Sequence, residues 1–104
     1  METFLYMTST GWKSGNPHQI EIWYVEHEGN YYIVAEHRER THWVQNIRRN
    51  PAVTFRIGEG ENWPGTARVV EGDDDADLAA AITQKMDDKY GWSAGLNVEL
   101  QADG

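Results

Sequence analysis

The stretch Thr41-His42-Trp43-Val44-Gln45-Asn46-Ile47-Arg48-Arg49-Asn50-Pro51, followed at once by Ala52-Val53-Thr54-Phe55-Arg56-Ile57, decides how the chain is read. Thr41 is a good helix N-cap, because its hydroxyl can accept an amide proton of the first turn. Trp43, Val44 and Ile47 lie three and four apart and share one face of a short helix. Pro51 cannot continue that helix and pushes Asn50 out of the α region, so the stop is sharp. Val53, Phe55 and Ile57 then alternate with Thr54 and Arg56, as in a strand with one buried face. A two-turn helix between strands therefore carries indole, amide and guanidinium groups, more recognition chemistry than a connector needs.

Working outward, Phe4 to Thr8 is a β-prone run, and Gly11-Trp12-Lys13-Ser14-Gly15-Asn16-Pro17 is a turn with glycines four apart. His18 to Val25 alternates, with Ile20, Ile22 and Tyr24 on one face and Gln19, Glu21 and Trp23 on the other. Glu28-Gly29-Asn30 is a hairpin signal, Tyr31 to Ala35 a strand buried on both sides, and Glu36 to Arg40 a charged loop. Beyond Ile57, Gly58 to Asn62 turns the chain and Thr66 to Glu71 returns as a strand that Pro64 and Gly65 place at an edge or bulge. Asp73-Asp74-Asp75 opens a second helix, where carboxylates are favoured by the dipole. Its stripe is Leu78, Ile82, Met86 and Tyr90, and Gly91 is a natural C′ residue. Asn97 to Gln101 can form a last short strand. Five or six short hairpin-linked strands and two helices predict a mainly β, α+β domain, a small antiparallel barrel over residues 1–104, paired as a homodimer that covers its exposed sheet.

Composition narrows the function. A chain of 104 residues supports one modest core. It has no cysteine, which excludes disulfides, thiolate metal sites and cysteine nucleophiles. A net charge of −8 makes nucleic acid a poor partner. No apolar run is long enough to span a bilayer and no leader-like segment opens the chain, so a soluble, cytoplasmic protein is expected. Twelve aromatic residues, five of them tryptophan, exceed the needs of so small a core and predict an aromatic-lined site or interface.

The glycine turn with Lys13 and Ser14 can cradle an anion, although it lacks the order and following helix of a Walker loop; the alternative is a solvated hairpin turn. Arg40, Arg48, Arg49 and Arg56 make a local positive cluster, suited to phosphate or carboxylate unless spent on surface ion pairs. His18, His27, His37 and His42 lack chelating spacings, so no metal is expected, and no hydrolytic triad is legible. Any chemistry then falls to a bound cofactor.

Several of these motifs, read together, resemble a known family. They are Thr8 to His18, Ile22-Trp23-Tyr24-Val25, Arg40 to Val53, and Thr66-Ala67-Arg68-Val69-Val70. Over roughly residues 5 to 90 the chain is similar to the deazaflavin-dependent nitroreductase and quinone-reductase family, among the flavin-binding split β-barrels related to pyridoxamine-phosphate oxidase. The resemblance implies a split barrel that binds coenzyme F-420, or FMN in some relatives, and passes hydride to a quinone, nitro compound or enone. It places Lys13 and Ser14 at the phosphate and tail of the coenzyme, with His18 where the motif has arginine. Ala35, Glu36, His37, Arg40 and Thr41 would line the ring and phosphate side. Trp43 and Asn46 match a Trp-x-x-Asn helix that braces the site, and Trp23, Tyr90 and Trp92 would wall the acceptor side. No catalytic residue is assigned. The alternatives are an FMN-binding oxidoreductase, or a non-enzymatic flavin- or haem-binding module of the same fold.

Overall fold

The computed structural model describes residues 3–103. Seven antiparallel strands form one sheet: β1 (Leu5–Thr10), β2 (Pro17–Ile22), β3 (Val25–His27), β4 (Asn30–Ala35), β5 (Ala52–Ile57), β6 (Trp63–Val69) and β7 (Leu96–Ala102). Helix α1 (His42–Arg49) lies between β4 and β5, and α2 (Ala76–Tyr90) between β6 and β7. Each helix follows a short 3-10 turn, Arg38–Arg40 and Asp73–Asp75.

The strand order is β2-β1-β5-β6-β7-β4-β3. Its two ends, β2 and β3, are joined by only Trp23 and Tyr24, so the sheet must curl until its opposite edges nearly meet. This is the small antiparallel barrel expected from the hairpin pattern, split as the resemblance implied, with one strand more than predicted. The alternating run from His18 to Val25 is two strands rather than one: β2 pairs with β1 and β3 with β4. Alternation could not reveal the break because sidedness persists across it. Ile20, Ile22 and Tyr24 pack on the barrel core, while Trp23 packs on the cluster under α2.

The barrel interior is filled by Leu5, Met7, Ile33, Phe55, Val98 and Leu100, all fully buried, with Ile47 of α1 packed against them. The expected faces hold: Val44 and Ile47 of α1, and Ile82 and Met86 of α2, are buried. Gly91 closes α2 at φ 71°, donating its amide to Asp87. Glu28 and Gly29 both take positive φ, the two-residue turn that matches strand twist.

Three expectations need correction. β6 begins at Trp63 and lies inside the sheet, between β5 and β7. Pro64 is tolerated because it sits one position outside the ladder with β7, which begins at Gly65. Gly65 marks no bulge; a Cβ there would lie 2.6 Å from the Gln101 carbonyl oxygen and 2.7 Å from Phe55 Cε1. Thr41 occupies the N-cap, but its hydroxyl makes no capping bond and is buried without a partner. Three of the four arginines are engaged by protein groups, Arg49 by the Trp12 ring. Arg48 pairs with Glu39 and Glu71, whose hydrogen bonds hold its guanidinium more firmly protonated. Arg56 lies over the Tyr6 ring.

Candidate functional site

The seam between β2 and β3 organises the site. At Trp23 and Tyr24 the chain leaves one edge of the sheet for the other, so Tyr24 has no strand partner for its backbone groups, and α2 supplies the partners instead. The Tyr90 hydroxyl accepts from the Tyr24 amide at 3.2 Å and donates to the Tyr24 carbonyl at 2.9 Å. Lys89 donates to that same carbonyl, and Lys85 to the carbonyl of Glu26. The Trp23 indole is held in turn: it stacks on Tyr90 with centroids 4.4 Å apart and meets Trp92 edge-on at 6.3 Å.

Trp23 and Trp92 form part of a groove of about 610 Å³, lined also by Phe4, Ile22, Val34, Ala35, Trp43 and Met86, with Glu21, Glu36, His37 and Thr41 supplying its polar groups. The loop from Glu36 to Thr41 is tightly folded. Arg38 takes a left-handed φ of 50°, uncommon for a side chain of its size, and the His37 carbonyl accepts the Arg40 amide at 3.0 Å.

A second groove, about 350 Å³, meets the first at Trp43 and is lined by Gly11, Lys13, Ser14, His18, His42 and Asn46, among others. Asn46 is the clamp between α1 and the glycine turn. Its Oδ1 accepts from the Trp12 amide at 3.1 Å, and its Nδ2 donates to the buried Ser9 hydroxyl at 3.4 Å. The turn consumes most of its own amides: Gly11 donates to Asn16, Gly15 to Gly11, and Asn16 to the Ser14 hydroxyl. Among the described residues, the turn amides outside these bonds are those of Lys13 and Ser14, a narrower anion cradle than the glycine spacing suggested. Gly11 lets the His18 ring lie close, since a Cβ would stand 2.7 Å from His18 Nε2. Trp12 is 42% exposed and carries a cation beside its ring from Lys13 at 4.9 Å and from Arg49 at 4.7 Å.

The model of one protein family, described as F420H(2)-dependent quinone reductase, matches residues 1–97. The chain belongs to that family. Its members use the reduced deazaflavin F-420 for oxidoreduction, as the motifs implied, and F-420 is the cofactor that membership brings. No curated protein sequence matches the chain. Among solved structures, an F420-H2 dependent reductase (FDR-A) is 25% identical with a TM-score of 0.63, covering 94% of this chain and 93% of its own. HutZ, the heme storage protein from Vibrio cholerae, is 17% identical with a TM-score of 0.79, covering 97% and 82%. A pyridoxamine 5'-phosphate oxidase-like protein from Listeria innocua is 15% identical with a TM-score of 0.74, covering 97% and 84%. The last two likenesses are of fold alone.

The residues that the resemblance singled out fall largely in two places that share Trp43. Ala35, Glu36, His37, Thr41, Trp23 and Trp92 line the larger groove, and Lys13, Ser14, His18 and Asn46 the smaller. Tyr90 stands behind Trp23 as its support. Arg40 is exposed at the end of the 3-10 turn and lines neither groove. Sequence reasoning missed Ser9, the buried partner of Asn46, because a serine on a strand carries no signal of its own. It also missed Phe4, Val34 and Met86, which read as ordinary core.

Proposed function

We propose that this chain binds the deazaflavin coenzyme across the two grooves and reduces a flat acceptor such as a quinone, nitro compound or enone. The observation that carries the reading is the junction at Trp43 of an aromatic-walled groove with a smaller groove lined by a lysine, a serine and two histidines. A planar ring suits the first and an anionic substituent the second. Lys13 and Ser14 would hold phosphate. Ala35 to Thr41 would flank the ring. Asn46 keeps the phosphate loop docked, and Trp23, braced by Tyr90, walls the acceptor side with Trp92.

The coenzyme, when bound, supplies the hydride. The protein's own part is orientation and electrostatics. The chain works as a cytoplasmic homodimer in this reading; the exposed strand β2 at the open edge of the sheet supports a second copy there. Among the described residues no helix is long and apolar enough to cross a membrane.

The test is titration with F-420, and separately FMN, followed by tryptophan fluorescence. F-420 should quench at micromolar concentration, and Lys13→Ala should weaken its binding about tenfold, as expected for one lost charge-assisted phosphate contact. Quenching by FMN alone would move the chain to the flavin branch. An unchanged affinity in Lys13→Ala would remove the phosphate assignment.

A further inference from the structure

Reduction of a quinone or enone by hydride leaves negative charge on an oxygen, and a proton has to reach that atom. We propose that His37 is the catalytic acid that delivers it, an inference that rests on the reductase reading above. The argument is one of groove chemistry. Of the polar groups lining the larger groove, Glu21 already accepts the Tyr6 hydroxyl at 2.8 Å. An ionised carboxylate is a hydrogen-bond acceptor only. The indoles hold theirs too tightly, and the Thr41 hydroxyl is buried. Imidazole is the side-chain type that exchanges a proton near neutral pH, and His37 is the one in this lining.

Placement agrees. His37 follows the end of β4, at φ −93° and ψ 14°, between a fixed strand and the left-handed Arg38. Its carbonyl is held by the Arg40 amide. The backbone is thus pinned while the ring stays exposed, able to face the groove and to recover a proton from water. In the step, hydride brings two electrons and one hydrogen to the acceptor as the deazaflavin is oxidised. An N–H bond of the imidazolium breaks, an O–H bond forms on the acceptor, and water reprotonates the neutral ring.

The test compares two acceptors with different proton needs. A soluble benzoquinone requires the proton, whereas N-methylacridinium, a planar cation, becomes neutral on taking hydride and requires none. His37→Asn should lower kcat for the quinone about ten- to a hundredfold, the range for a lost general acid in a site open to water. It should slow N-methylacridinium reduction far less, so that the quinone-to-acridinium ratio of kcat falls about tenfold or more even where the loss of a ring-flanking side chain weakens F-420 binding. Imidazole buffer should restore part of the quinone rate in His37→Ala. Without turnover, adding the quinone to the protein should shift the His37 ring resonances in an NMR spectrum. Equal slowing of both acceptors, no slowing of either, or unmoved His37 resonances while the Trp23 indole responds would each overturn the role. A wild-type protein that neither binds F-420 nor reduces either acceptor would overturn the reductase reading and His37 with it.

Discussion

Replacing Asn46 with alanine should detach the glycine turn from α1. The side chain is 7% exposed and makes two bonds across the structure, to the Trp12 amide and to Ser9, itself 1% exposed. The substitution strands both partners. A buried group left unpaired costs about 1–3 kcal/mol, but the Ser9 contact is long and the Trp12 amide only partly covered, so the pair should total about 2 kcal/mol. With an unfolding entropy of about 2.1 cal/mol/K per residue, that lowers the melting midpoint by roughly 9 °C. Scanning calorimetry reads it directly, and F-420 binding should weaken together with stability because Lys13 and Ser14 ride on the same turn. Ser9→Ala combined with Asn46→Ala should cost less than the two single changes added, since each removes the group the other leaves stranded. A midpoint within two degrees of wild type, or strict additivity, would refute the clamp.

Two further outcomes follow from the sheet. Gly65→Ala drives a methyl against the Gln101 carbonyl and Phe55 with no flexible neighbour to yield, so urea denaturation should register a loss of about 2–3 kcal/mol; unchanged stability would mean that β6 and β7 are farther apart. Burial first, and then its hydrogen bond to Glu99, push the Tyr32 phenol up to about 12 from 10.0. That contribution is complete below the unfolded value and is lost as pH rises toward 12, so stability should fall by about 2 kcal/mol across that window. In Tyr32→Phe the decline should shrink to what Tyr31, raised by its own burial, and Tyr6, raised by its hydrogen bond to Glu21, still contribute; an unaltered pH profile would refute the assignment.

The helices and most strands were legible because their signals are local. Trp43, Val44 and Ile47 place α1, Leu78 to Tyr90 place α2, and Glu28-Gly29 fixes its hairpin. The site was legible as a set of motif residues but not as a shape. Nothing in the alternation from His18 to Val25 says that the chain changes edges at Trp23, and that event builds the aromatic wall. The Thr41 hydroxyl and the turn amides were misjudged for a related reason. Local sequence states what a group can bond, whereas the fold decides that Asn46 and Ser14 take those amides first. The arginines Arg48 and Arg56 likewise found a carboxylate pair and a tyrosine ring before any ligand.

The last strand, β7, is also an interior one, flanked by β6 and β4. During synthesis, β4 and β6 must therefore wait with bare edges until residues through Ala102 have left the ribosome. The register Ile33 to Val98 closes a long loop, a slow kind of contact to form. Nascent chains halted before Leu96 should be chaperone clients prone to edge-to-edge association. Truncations that spare every motif residue but remove β7 should yield no folded protein, so the last few residues of the sheet govern yield in the cell as firmly as the grooves govern activity.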